Sequence, residues 1–195
     1  MVVDGVTFSA AAGEPEPVSD MFAEPPGVPA TIYQRWIRQL RRRAVPVVLD
    51  ASGAALREGV KARPWLIKPN REEAQELLGR RLRTRRHSVE AARALQRLGM
   101  SVVILSLGGE GALLAMAGGV WHAGTPRVKA RSAVGAGDAL VGGFLAGWLQ
   151  RRSMAEAFRL GVAAGTATVM TPGTELCHAR DVRRLLRRVT VQRVG

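Results

Sequence analysis

The run Ser101-Val-Val-Ile-Leu-Ser-Leu107 is apolar at nearly every position, with no polar face at a two-residue period. A strand of this kind must be covered on both sides, which is the condition of a central strand in a layered α/β sheet. Two shorter apolar runs, 45–49 and 65–67, repeat the pattern. Between them lie segments with helical spacing. Residues 31–43 place Ile32, Trp36, Ile37 and Leu40 on one stripe, and 54–60 and 71–78 read as short helices. Asn70 and Glu73 stand as N-cap and third residue of the 71–78 helix, and Gly79 can end it. Ser88 is placed as the cap of the next helix, which runs to about Leu98. A hairpin is expected over 112–122, around Gly118-Gly119. Long helices are expected over 136–151 and 153–170, with a last one capped by Asp181 and reaching about Val189. Strands alternating with helices in this way predict an α/β fold with a mainly parallel sheet.

Composition narrows the function classes. The chain has 26 Arg, 3 Lys and 16 acidic residues among 195, for a net charge of +13. The first 34 residues carry five acids and no basic residue, so the remainder carries +18. Such a surface raises a polyanion-binding reading, whereas a solvated surface with Arg in place of Lys is the ordinary one. The densest basic run, Arg80 to Arg86, has no interleaved aromatic to stack on bases, so nucleic acid is not an expected partner. A single cysteine, Cys177, excludes an internal disulfide framework and fits a reducing compartment. No apolar run reaches membrane-spanning length, and the acidic N-terminus has no basic leader region. A cytoplasmic protein without a membrane partner is therefore expected. His87, His122 and His178 share no metal-ligand spacing and read as structural or surface residues.

Three loops fall at the carboxyl ends of inferred strands, where open α/β sheets bind ligands. Val134-Gly135-Ala136-Gly137-Asp138 is a glycine-rich turn entering a helix. Its N–H groups and the helix start form an anion site, and Asp138 puts a carboxylate beside it. Phosphoryl transfer requires both, a base for the hydroxyl proton and donors for the phosphoryl oxygens. Helix packing is the alternative, since Gly142, Gly143 and Gly147 also allow close neighbours. Asn70 and Glu73 can converge on a hydrated Mg²⁺, or simply form a capping box. Ser106-Leu107-Gly108-Gly109-Glu110-Gly111 lets backbone approach a nucleotide, or is only a tight turn.

Taken together and in this order, WLIKPNREEAQELLGR (65–80), VVILSLGGEGALL (102–114) and SAVGAGDALVGGFLAGWL (132–149) resemble the ribokinase-like, PfkB-type carbohydrate kinases. PPGVPATIYQRWIRQL (25–40) and VVLDASGAALREGVKARPW (47–65) resemble the branch that phosphorylates fructose 1-phosphate. The resemblance covers about residues 19–190. It implies a three-layer α/β/α fold and transfer from ATP to a phosphosugar hydroxyl, giving fructose 1,6-bisphosphate. By position, Asp138 would be the base and Gly135, Ala136 and Gly137 the anion hole. Asn70 and Glu73 would order Mg²⁺, and Lys68, Asn70, Ser106, Gly108, Gly111 and Gly137 would lie on the ATP side.

The resemblance has gaps. The family's N-terminal strands, sugar lid and Gly-Gly-Lys-Gly sugar motif have no counterpart in residues 1–30. Ser19-Asp20-Met21-Phe22-Ala23-Glu24-Pro25 replaces a Ser-Gly-Ser-Leu-Pro type of turn, and Ala133 stands where Thr is usual. The expectation is thus an irregular N-terminal arm (1–29), possessing at most one strand over 1–8. It would be followed by the nucleotide-binding and catalytic part of a truncated domain (30–195). Self-association or dependence on a missing N-terminal partner segment is expected to follow. A remnant that binds ATP without turnover is the alternative function.

Overall fold

The computed structural model describes residues 2–4 and 29–195. A seven-stranded sheet forms the centre, with strands in chain order from one edge to the other. The strands are β1 (Val2–Asp4), β2 (Val48–Asp50), β3 (Leu66–Ile67), β4 (Val102–Ser106), β5 (Ala112–Met116), β6 (Gly119–Ala123) and β7 (Val191–Arg193). Pairing is parallel from β1 through β4 and antiparallel from β4 through β7.

The reason for the two-sided apolar strands is visible in the core. Val47, Leu49, Ile67, Val103, Leu105, Leu113 and Ala115 face one helical layer, packing with Ile37, Leu56, Ala74, Ala91 and Leu95. The alternate residues Val48, Leu66, Val102, Ile104, Ala112 and Leu114 face the other, with Phe144, Phe158, Val162 and Leu185. The first layer holds α1 (Ile32–Arg41), α2 (Gly53–Val60), α3 (Arg71–Leu78) and α4 (Arg85–Arg97). The second holds α5 (Ala136–Leu149), α6 (Met154–Thr168) and α7 (Ala179–Leu186). The three-layer α/β/α arrangement is as expected, but the sheet is mixed rather than mainly parallel, with three parallel and three antiparallel pairings, because the 112–123 hairpin and β7 extend it antiparallel beyond β4. Each strand residue loses water on its own side, at roughly 25 cal/mol per Å² of apolar surface.

Helices α5 and α6 touch almost backbone to backbone. A Cβ on Gly161 would lie 2.6 Å from the Leu140 carbonyl oxygen, and one on Gly147 would lie 2.7 Å from Ala157 Cα. Gly143 and Gly165 are similarly confined, whereas Gly142 faces open space. Close packing of the two helices therefore accounts for two of the four glycines in α5, Gly143 and Gly147, and fixes the position of its first turn.

Two expected helix starts are corrected. Helix α4 begins at Arg85, and its cap is Thr84, whose hydroxyl accepts from the His87 N–H at 3.2 Å. Ser88 is buried inside that helix, its hydroxyl turned back to the Thr84 carbonyl. Arginine is a good helix former, so the helix extends through Arg85 and Arg86 to the earlier cap. Asp181 is not the cap of α7 either. His178 occupies that position, and Asp181 lies in the first turn, paired with Arg184 at 3.0 Å. Strand β7 was not expected, because Thr190-Val-Gln-Arg193 is polar and sits on a sheet edge. The expected first strand is present over Val2–Asp4, and the rest of the arm to residue 28 lies outside the described residues.

Candidate active site

Strand parity decides which side chains meet. Asp50 follows Val48 by two residues and Lys68 follows Leu66 by two, so both project on the α5 side of the sheet. β2 and β3 are paired in register, Val48 beside Leu66. Asp50 and Lys68 therefore come side by side at the carboxyl edge, and Lys68 Nζ lies 3.1 Å from Asp50 Oδ1. Lys68 is only 8% exposed. Its amine reaches the first turn of α5, where a Cβ on Gly137 would be 3.0 Å from Nζ. The Lys68 loop and the Gly135–Asp138 turn, 67 residues apart in sequence, thus form one site.

Gly135 is the N-cap of α5 with φ +74°, a left-handed conformation that glycine adopts without steric cost. Ala139 N–H already donates to the Gly135 carbonyl, and Ala136 N–H to Ala133 at 3.3 Å. Gly137 and Asp138 are the second and third helical residues, so their N–H groups have no intrahelical acceptor. The Ala136 N–H is drawn into the turn, which leaves the Gly137 and Asp138 N–H groups as the donors of the first helical turn. Asp138 is exposed in that same first turn.

On α3 the capping box is complete. Asn70 Oδ1 accepts from the Glu73 N–H at 2.8 Å, and Glu73 Oε2 accepts from the Asn70 N–H at 2.7 Å. The capping role therefore holds both residues at the same point of the site edge. Burial pushes the Glu73 carboxyl above its usual range, against the Asn70 hydrogen bond and the Lys68 charge, which lower it, while Asp50 raises it. Asp50, Lys68 and Glu73 are close enough to feel one another.

The β4 loop is joined to the β3 loop. Ser106 N–H donates to the Pro69 carbonyl at 3.0 Å, and Arg71 pairs with Glu110 at 2.5 Å. Gly108–Glu110 is a single 3-10 turn, with Gly108 exposed and Gly111 buried. The His122 Nε2–H donates to the Glu110 carbonyl, 2.8 Å away, and burial depresses its pKa. Among the described residues no cluster of three or more His, Cys, Asp or Glu side chains is arranged to hold a metal ion. No helix among them is long and apolar enough to cross a membrane.

Residues 18–180 match the model of the pfkB family of carbohydrate kinases. The chain belongs to that family. It is 38% identical over 168 residues to the 1-phosphofructokinase of Escherichia coli K12, covering 86% of this chain and 54% of that one. An ATP-dependent 6-phosphofructokinase isozyme 2 of Mycobacterium tuberculosis is 39% identical over 161 residues, covering 82% and 47%. Among solved structures, phosphofructokinase-2 from Escherichia coli in complex with potassium superposes with a TM-score of 0.80 at 32% identity, covering 85% of this chain and 54% of that one. The chain spans about half the length of the curated relatives it matches.

Within the family frame, the site residue that sequence reasoning missed is Asp50. Its signal was a lone acid closing an apolar strand at the carboxyl edge, which the reading of 45–49 treated only as a strand end.

Glu73 supplies a test that does not depend on activity. A carboxyl raised by folding binds its proton more tightly in the native state. Its contribution to stability is complete below pH 4.5 and is lost as the pH rises through the folded pKa. Glu73→Gln keeps an oxygen for the Asn70 N–H but cannot ionise. It is expected to melt above the wild type at pH 7, with the difference closing towards pH 4. Thermal melts at the two pH values measure this.

Proposed function

We propose that this chain carries the nucleotide and base side of a sugar-phosphate kinase that transfers a phosphoryl group from ATP to a phosphosugar hydroxyl, D-fructose 1-phosphate giving fructose 1,6-bisphosphate. The observation that carries this reading is the first turn of α5. There the Asp138 carboxylate stands in the same turn as two N–H donors without helical acceptors, and the Lys68 amine lies against Gly137. Asp138 accepts the hydroxyl proton as the oxygen attacks. The Gly137 and Asp138 N–H groups receive the charge on the transferred phosphoryl group. Lys68, Ser106 and the Gly108–Gly111 turn face the nucleotide.

The donor set fits magnesium held through water. Asn70 and Glu73 offer an amide oxygen and a carboxylate at one edge, and the formal charges of Asp50, Lys68 and Glu73 sum to −1. When bound, Mg²⁺ supplies charge neutralisation between the nucleotide phosphates. Glu73→Gln is accordingly expected to lower turnover about 10- to 100-fold while raising stability at neutral pH.

The competing reading is ATP binding without transfer. One assay separates the two. The purified chain is given Mg²⁺ and ATP with fructose 1-phosphate or fructose 6-phosphate, and ADP release is coupled to a reporter. Turnover is expected, faster with the 1-phosphate. ATP binding by calorimetry with no ADP release selects the second reading, and the absence of both overturns the kinase site.

A further inference from the structure

We infer that Asp50 is a positioning residue for phosphoryl transfer, acting only through Lys68, which it holds in place and aimed at the first turn of α5. The inference rests on the kinase reading above and adds to it a residue outside the three glycine and Lys-Pro-Asn segments.

Three observations converge on it. Lys68 is 8% exposed, and a cation so buried is costly unless an opposite charge is paired with it. Asp50 lies at 3.1 Å and supplies that opposite charge, which holds the side chain in place. The direction is set as well. The Lys68 side chain is confined between Asp50 and Gly137, where the point a Cβ would occupy is 3.0 Å from Nζ and 3.3 Å from Cε. Neither neighbour can be moved easily, since Asp50 ends a strand paired on both sides and Gly137 belongs to a helix locked against α6. An ammonium has three donors, so one carboxylate does not exhaust it. The remaining donors are held at the mouth of the anion site.

The two effects of Asp50 on ATP affinity oppose each other. Its charge repels phosphate, while its hold on Lys68 supplies an aimed cation. Only the second matters to the rate of transfer, because the phosphoryl group must meet a fixed donor as its charge shifts. Asp50→Asn is therefore expected to lower kcat about tenfold or more, with KM for ATP changing less than about threefold.

The test is a double-mutant cycle on the full chain, with ATP and fructose 1-phosphate as the substrates and melting curves as controls. Asp50→Asn, Lys68→Met, the double variant and Asp50→Glu are compared. If Asp50 acts through Lys68, Asp50→Asn costs less than about threefold on top of Lys68→Met, and Asp50→Glu recovers part of kcat. A full additional loss in the Lys68→Met background overturns the inference, as does an Asp50→Asn enzyme with wild-type kcat. If Asp50→Asn fails to fold with its lysine unpaired, the double variant removes both charges, and equality with Lys68→Met decides the matter. A wild type without turnover overturns the kinase reading and this inference with it. An active wild type with an unaffected Asp50→Asn overturns this inference alone.

Discussion

Asp138→Asn is expected to reduce phosphoryl transfer by about 10² to 10⁴-fold, the range of a positioned general base. The same change is expected to leave the melting temperature almost where it was. Asp138 is exposed, so its replacement opens no cavity, and an asparagine in the first turn keeps the shape and polarity of the site. What it loses is the interaction of a carboxylate with the helix dipole, about 0.3–1 kcal/mol. ATP affinity should hold or rise slightly, since a negative charge leaves an anion site. The combination of lost kcat, retained fold and retained nucleotide is what distinguishes a base from a binding residue. Steady-state kinetics with calorimetry of ATP binding measure all three. Turnover within a few-fold of wild type would show that the proton goes elsewhere.

How much of this was legible in the chain differs by level. The layers were legible, because a strand covered on both faces has no choice but to be apolar throughout, and Ser101–Leu107 states that directly. The α3 capping box was legible because it is local, since Asn70 and Glu73 each act on backbone three residues away. Local signals failed where two of them competed. Thr84 and Ser88 are both good caps, and only the burial of Ser88 against the sheet decides between them. Asp181 was assigned from its residue type, but a first-turn aspartate favours a helix start as much as a cap does. The Asp50–Lys68 pair was illegible for a different reason. It depends on the register between β2 and β3 and on the side-chain parity of each, neither of which a single segment reveals. Strand β7 likewise exists through its pairing with β6, which its polar sequence does not announce.

Gly111→Ala is expected to be the most destabilising single-methyl change at the site, and it separates packing from nucleotide contact in the glycine turn. Gly111 holds φ +95° and ψ −136°, a conformation that costs any other residue about 1–3 kcal/mol. Its Cβ would also lie 1.9 Å from the Ala123 carbonyl oxygen and 2.9 Å from that carbonyl carbon. That oxygen is backbone at the end of β6, so relief requires β6 to part from β5, and overpacking of this kind costs about 1–3 kcal/mol more. The sum, about 2–6 kcal/mol, is a large share of the 5–15 kcal/mol typical of a domain. At roughly 2–4 °C per kcal/mol for a chain of this size, the melting temperature should fall by about 5–20 °C. Gly108 is the control in the same turn. Its φ is +59°, but its Cβ would meet nothing within 4 Å, so Gly108→Ala carries only the left-handed strain, about 1–2 kcal/mol. If the turn serves the nucleotide through its exposed edge, Gly108→Ala lowers ATP affinity at little cost in melting temperature, whereas Gly111→Ala loses both together. Urea unfolding beside ATP titration reads the two effects independently. A Gly111→Ala chain that melts like the wild type would mean that β6 gives way at that carbonyl, and that the turn is far less fixed than its packing against Ala123 requires.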